Sequence, residues 1–158
     1  MLYRLDFYQT TIFDRSSTTG RCWPAEIAMF LNMPSMLITD DDRAFRETLG
    51  GLFEERGFHT MLAEDGQEAF EIVQRVTIHV VLLDMNMPRL TGLETIRRVK
   101  RVYATVPCIL LSAEMDETLA EAARQADAFS THAKPISLPE ITRTVSLAMR
   151  VTYDWPAA

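Results

Sequence analysis

Residues 80–88 read VVLLDMNMP: apolar residues of strand type run straight into Asp84, and shortly afterwards the chain breaks on Met87-Pro88. A carboxylate at the end of a hydrophobic strand is costly to bury unless something there pairs with it. The segment therefore raises the question of what Asp84 meets. Unbroken apolarity from Val80 to Leu83, rather than alternation, predicts a strand covered on both faces, as in a parallel sheet.

Outward from this segment, residues 36–39 (MLIT), 58–63 (FHTMLA), 78–83 (IHVVLL), 106–112 (VPCILLS) and, more weakly, 128–133 (AFSTHA) are strand candidates. Between them, apolar residues recur three and four apart: Phe45, Leu49, Leu52 and Phe53; Ala69, Ile72 and Val73; Ile96, Val99 and Tyr103; Leu119, Ala122, Ala123 and Ala126. A final helix near 138–151 carries Leu138, Ile141, Val145 and Met149 on one side. Asp65 with Glu68, Thr91 with Glu94, and Ser137 with Glu140 each fit a capping box. Gly57 suits a helix stop, whereas the Gly50-Gly51 pair inside the first helix should weaken it. Five strands, each followed by a helix, imply right-handed crossovers and a three-layer α/β/α sandwich around a parallel sheet. Ligands of such sheets bind beyond the carboxyl ends of the strands, where the winding reverses. The domain is expected over residues 34–151, with residues 1–33 as a disordered, loosely docked or mis-started extension and 152–158 as a tail. Packing of residues 23–31 as a helix on the domain is the alternative for the extension.

The 158 residues suffice for one ordinary domain, and 47% hydrophobic content supplies a core. A net charge of -6 argues against a nucleic-acid surface, and Arg97, Arg98, Lys100 and Arg101 read as a solvated helix face. Two cysteines, Cys22 and Cys108, suit a reduced compartment. No apolar stretch approaches the roughly 18 residues needed to span a bilayer, and the expected location is cytoplasmic. His59, His79 and His132 share no metal spacing and read as structural.

In a parallel sheet the carboxyl ends of the strands share one edge. That edge would gather Asp40 and Asp41, with Asp42 beside them, from the first strand, Asp84 from the third, Ser112 from the fourth and Lys134-Pro135 from the fifth. Crowded carboxylates repel one another unless a cation neutralises them, and an all-oxygen donor set selects Mg2+ or a similar ion. Lysine occurs only at Lys100 and Lys134, so its placement at a strand end is informative. Carboxylates, divalent ion, ammonium and the Ser112 hydroxyl together suit a phosphoryl group, with Asp84 best placed to accept it covalently. Taken singly, each residue has a plainer role: an N-cap among Asp40–Asp42, an N-cap at Ser112, an exposed loop lysine at Lys134, turn formers at Asn86 and Pro88.

Residues 35–151, through LITDDD, LLDMNMPRLTG, ILLSA and AKP in that order, resemble the receiver domain of two-component response regulators, a flavodoxin-like fold of the CheY type with strand order 2-1-3-4-5. The resemblance implies Asp84 as the aspartate phosphorylated from a phosphohistidine on a sensor histidine kinase or phosphotransfer protein. It further implies Asp40, Asp41, Asp84 and the Asn86 carbonyl as Mg2+ ligands, Ser112 and Lys134 as partners of the phosphoryl oxygens, and Pro135 after a cis peptide bond. Asn86 and Glu114 look like the pair of rapidly turning-over chemotaxis regulators. One departure stands out: the family carries an aromatic residue three positions before the lysine, and here that position is Thr131, with Phe129 expected on the same side of the strand. With only about eight residues after the last helix and none of them a DNA-binding module, output is expected through an unknown downstream protein, with no direct nucleic-acid or membrane partner. A phosphorylation-independent pseudo-receiver is the alternative. A dehalogenase-type phosphatase fits poorly, because Asn86 stands where that chemistry needs an aspartate as general acid.

Overall fold

Each expected run becomes an element of the fold. The computed structural model describes residues 33–155, so the expectations for the amino-terminal extension, Cys22 included, lie outside the described residues. In chain order the elements are β1 (Ser35–Thr39), α1 (Arg43–Glu54), β2 (His59–Ala63), α2 (Gly66–Arg75), β3 (Val80–Asp84), α3 (Gly92–Val102), β4 (Cys108–Ser112), α4 (Glu117–Gln125), β5 (Ser130–Ala133) and α5 (Leu138–Tyr153). The last helix thus runs two residues beyond the expected 151. All pairings are parallel and the strand order is β2-β1-β3-β4-β5. From β1 the chain steps outward to β2 and then returns past β1 to β3. The winding therefore reverses between β1 and β3, and a crevice opens beyond their carboxyl ends.

Successive strand residues point to opposite faces, so each buried strand feeds two cores. Leu37, Val81, Leu83 and Leu110 meet Ala69 and Val73 of α2, Ile96 and Val99 of α3, and Ala123 of α4. On the other face Met36, Ile38, Val80, Leu82, Ile109 and Leu111 meet Leu49 and Phe53 of α1 and Ile141, Val145 and Met149 of α5. Full burial of such side chains contributes about 1.5–3 kcal/mol each. β3 and β4 are buried at all five positions, as their unbroken apolarity requires, whereas the edge strand β2 is mostly accessible.

The helix starts fulfil their sequence signals to different degrees. Thr91 and Glu94 close a full capping box. Asp65 caps α2 by accepting from the amides of Gln67 and Glu68, but the Glu68 carboxylate accepts from Glu64 rather than Asp65. Ser137 caps α5, while Glu140 turns to His132 at 3.4 Å instead of closing a box. Asp42 caps α1, which makes the plainer role of the acidic triplet correct for that one residue. Asp116, not Ser112, caps α4. Gly50 and Gly51 lie inside an unbroken α1, and Gly57 follows its end with φ +83, in the region that favours glycine.

Gly92 opens α3 against the backbone of β3. A Cβ there would lie 2.5 Å from the Asp84 carbonyl oxygen and 3.0 Å from the Met85 Cα, both main-chain atoms that cannot swing aside. Gly51 has nothing within 4 Å of its would-be Cβ. Gly92→Ala is expected to destabilise by about 3 kcal/mol through overpacking, and Gly51→Ala to stabilise by about 0.5–1 kcal/mol through helix propensity. Urea unfolding of the two variants checks the opposite signs.

His79 sits at the amino-terminal end of the sheet. Its Nδ1 accepts from the Ser35 amide at 3.0 Å, and its ring meets Tyr153 of α5 edge-on at 5.6 Å. Burial lowers its pKa below the ordinary 6.5. The folded protein therefore binds fewer protons than the unfolded chain in that interval, so the stability from a neutral His79 is present above pH 6.5 and lost as pH falls through the lowered value. In His79→Asn, which keeps an acceptor for Ser35, the fall in unfolding midpoint between about pH 7 and about pH 5 should be shallower than in the wild type.

Candidate functional site

The crevice between β1 and β3 holds the residues that the sequence placed at the strand ends. Asp40 follows β1 directly, and its amide still bonds the Ala63 carbonyl of β2 at 3.2 Å, so the ladder fixes its backbone. Asp84 is the last residue of β3, paired with Leu111 of β4. Met85 extends that ladder by donating to the Leu111 carbonyl at 2.7 Å. Both carboxylates are almost inaccessible, Asp40 at 1% and Asp84 at 6%.

The cation that meets them comes from the far side of the sheet. Lys134 follows β5, its amide bonded to the Ser112 carbonyl at 2.8 Å, and a cis peptide bond joins it to Pro135. Its Nζ lies 2.5 Å from Asp40 Oδ2 and 2.7 Å from Asp84 Oδ1. One ammonium thus bridges two buried carboxylates from separate strands, which is what Asp84 meets. The remaining oxygens are also used: Asp40 Oδ1 accepts from the Asp42 amide at 2.9 Å and Asp84 Oδ2 from the Asn86 amide at 3.0 Å. Arg46 of α1 donates to the Asp40 carbonyl at 2.5 Å.

Burial pushes the Asp84 carboxyl above its usual range; the hydrogen bond and charge of Lys134 and the Asn86 amide pull against this, and the neighbouring Asp40 charge adds to it. Burial likewise disfavours a charged Lys134, but hydrogen bonds and charge attraction from Asp40 and Asp84 outweigh it and raise its pKa. The ammonium accordingly stays protonated at neutral pH.

Asp41 is exposed at the mouth of the crevice, and one oxygen each from Asp40, Asp41 and Asp84 lies within 4.8 Å of the others. Three hard oxygen donors, with no sulfur or imidazole among them, fit Mg2+. Two of the donors are already neutralised in part by Lys134, as expected of a pocket shaped for positive charge.

Ser112 is placed at the same edge, but its hydroxyl is engaged by the Glu114 backbone. Its hydroxyl donates to the Glu114 carbonyl at 2.8 Å and accepts from the Glu114 amide at 3.2 Å, a bond pattern internal to the β4–α4 loop. Phe129, expected on the side of Thr131, packs instead with the core that contains Ile109 and Leu111, while the register partner of Thr131, Leu110, belongs to the opposite core. β5 begins only at Ser130, so strand alternation does not extend back to Phe129.

Three contacts were not legible from strand-end reasoning. The Phe45 ring lies 4.7 Å from Lys134 Nζ. Arg46, the residue after Phe45 on α1, holds the Asp40 carbonyl. Arg89, in the left-handed region at φ 68, pairs with the buried cap Asp65 and so ties the β3–α3 loop to the start of α2. Helical spacing alone marks Phe45 as a core residue and offers no reason to expect a charge on its face.

A family model described as the response regulator receiver domain matches residues 36–146. Among curated proteins, the response regulator RR06 of Streptococcus pneumoniae is 33% identical over 124 residues, covering 75% of this chain and 54% of that protein. The response regulator MprA of Mycolicibacterium vanbaalenii is 35% identical over 120 residues, covering 75% and 52%. The chain thus spans about half the length of these relatives. Among solved structures, the receiver domain of the Francisella response regulator 1452 superposes with a TM-score of 0.68 at 28% identity, covering 75% of this chain and 98% of that one. The chemotaxis protein CheY4 of Vibrio cholerae shares the fold with a TM-score of 0.70 at 24% identity, covering 73% and 98%. With the strand order, the crevice and these likenesses in agreement, the chain belongs to the receiver-domain family of two-component response regulators.

Proposed function

We propose that Asp84 is the phosphoryl acceptor of a switch fed by a sensor histidine kinase or phosphotransfer protein and read by a downstream protein partner. The observation that carries this reading is the Lys134 ammonium held between the buried carboxylates of Asp40 and Asp84. Such an arrangement has no need of acid-base chemistry. A carboxylate oxygen of Asp84 attacks phosphorus, the bond from phosphorus to the donor imidazole nitrogen breaks, and charge spreads over the three phosphoryl oxygens.

Each residue then has a physical task. Lys134, protonated and fixed at the β5 end, offers a point charge to a phosphoryl oxygen, because its present partners are the carboxylates that the incoming group displaces. The Asn86 amide, bonded to Asp84 Oδ2, orients the nucleophile. Mg2+, which oxygens of Asp40, Asp41 and Asp84 and the Asn86 carbonyl would hold, supplies the charge that lets an anionic donor approach an acidic crevice. Ser112 reaches a phosphoryl oxygen once it exchanges its bonds to Glu114 for that oxygen, and this rearrangement biases the surface formed by α4, β5 and α5. We further assign the switching unit to residues 34–151, a cytoplasmic location, and a short phosphoryl lifetime set by Asn86 and Glu114.

The second reading is a contact module indifferent to phosphorylation. Thr131 favours it, since no aromatic ring occupies that strand position to follow Ser112 inward.

Intact mass before and after incubation with acetyl phosphate and Mg2+ separates the two. The wild type should gain one phosphoryl group, Asp84→Ala none, and chelation of the metal should prevent the gain. A gain that persists in Asp84→Ala removes Asp84 from its role, and no gain in the wild type favours the contact module. Lys134→Met, which keeps length and removes charge, is expected to slow the reaction by about 10²-fold, the scale set by removal of one preorganised electrostatic partner. Rates followed by rapid quench and mass measurement check it.

A further inference from the structure

Among the described residues the Lys134 ammonium has three partners, and only two of them are carboxylates. The third is the ring of Phe45, which lies 4.7 Å from Nζ, within the range of a cation–π contact. Phe45 lies in the first turn of α1, whose start is fixed by the Asp42 cap; Asp42 Oδ1 accepts from the Phe45 amide itself at 3.1 Å. The ring is therefore placed by the same acidic loop that contributes Asp40 and Asp41.

Its burial separates it from an ordinary core residue. Leu49 and Phe53, further along the same face, are 1% exposed, whereas Phe45 is only partly buried at the margin of that core. One face of the ring is left for the ammonium. The Lys134 side chain is 22% exposed, so water competes for the charge on its open side.

We propose that Phe45 is a positioning residue for Lys134, holding the ammonium in the crevice through its ring face independently of the two carboxylates. This inference rests on the reading of Asp84 as phosphoryl acceptor. The carboxylates that grip Lys134 belong to the residues that would hold a divalent ion and, at Asp84, a phosphoryl group, and each engagement would weaken that grip. A neutral ring binds neither. It keeps attracting the ammonium while the charges around it are redistributed, and it shields one side of Nζ from water without removing the proton needed to face an oxyanion.

The test sets a leucine, which fills the same margin of the core, against a tyrosine, which keeps the ring. With the full chain, acetyl phosphate and Mg2+, the initial rate of phosphoryl gain should fall about fivefold in Phe45→Leu, the equivalent of about 1 kcal/mol, and return towards wild type in Phe45→Tyr. In the unphosphorylated protein, the Lys134 ε-methylene proton signals should carry an upfield ring-current shift that Phe45→Leu abolishes and Phe45→Tyr retains. A Phe45→Leu protein that reacts at the wild-type rate, or a Phe45→Tyr protein as slow as Phe45→Leu, overturns the positioning role. Absence of the ring-current shift in the wild type overturns the contact itself. If the wild type gains no phosphoryl group, the acceptor reading fails, and with it the role assigned to Phe45 in transfer.

Discussion

The structure turns on one electrostatic constraint: two carboxylates cannot be buried side by side at the end of an apolar sheet without a cation between them. Asp40 and Asp84 reach the crevice because β1 and β3 are neighbours whose carboxyl ends coincide, and Lys134 reaches it from the end of β5, ninety-four residues along the chain from Asp40. Parallel pairing makes this meeting possible, since it puts every strand end on the same edge. The two cores above and below the sheet are what hold that edge in register. Loss of packing at Leu82 or Leu111, apolar residues next to the strand ends that carry the site, would let the carboxylates drift from their counterion.

The site is also a place where stability is spent. Burial raises the Asp84 pKa even with Lys134 adjacent, so the charged form of this carboxylate is held against the preference of its surroundings. Beside it, Thr39 Oγ1 is the buried side-chain oxygen that finds no partner among the described residues, and it immediately precedes Asp40. An unsatisfied hydroxyl of this kind costs about 1–3 kcal/mol. Such a cost is carried more easily where the surrounding strands are buried at every position, as β3 and β4 are.

Much of this was legible in the sequence, for a definite reason. The strand runs, their helical intervals and the placement of Asp40, Asp84, Ser112 and Lys134 follow from two periodicities and from the rule that parallel strands end together. What was not legible depends on torsions rather than positions. Ser112 stands where expected, yet its hydroxyl bonds Glu114 within its own loop. Phe129 was assigned a side by strand alternation, but the strand had not yet begun there. Glu140 completes the sequence pattern of a capping box, yet His132 takes its carboxylate. Phe45 obeys its helical stripe and also faces a charge, because a stripe specifies direction and not the identity of what comes to meet it.

The absence of space at Gly92 bears on how a chemical event at the crevice travels. With the α3 start already at the closest approach that two main chains allow, no slack separates that helix from the residue following β3. Strand end and helix start therefore behave as a single lever. A push on Asp84 would be delivered to α3 at full stroke, and the compliant parts of the machine must be sought in the loops that follow β4 and β5.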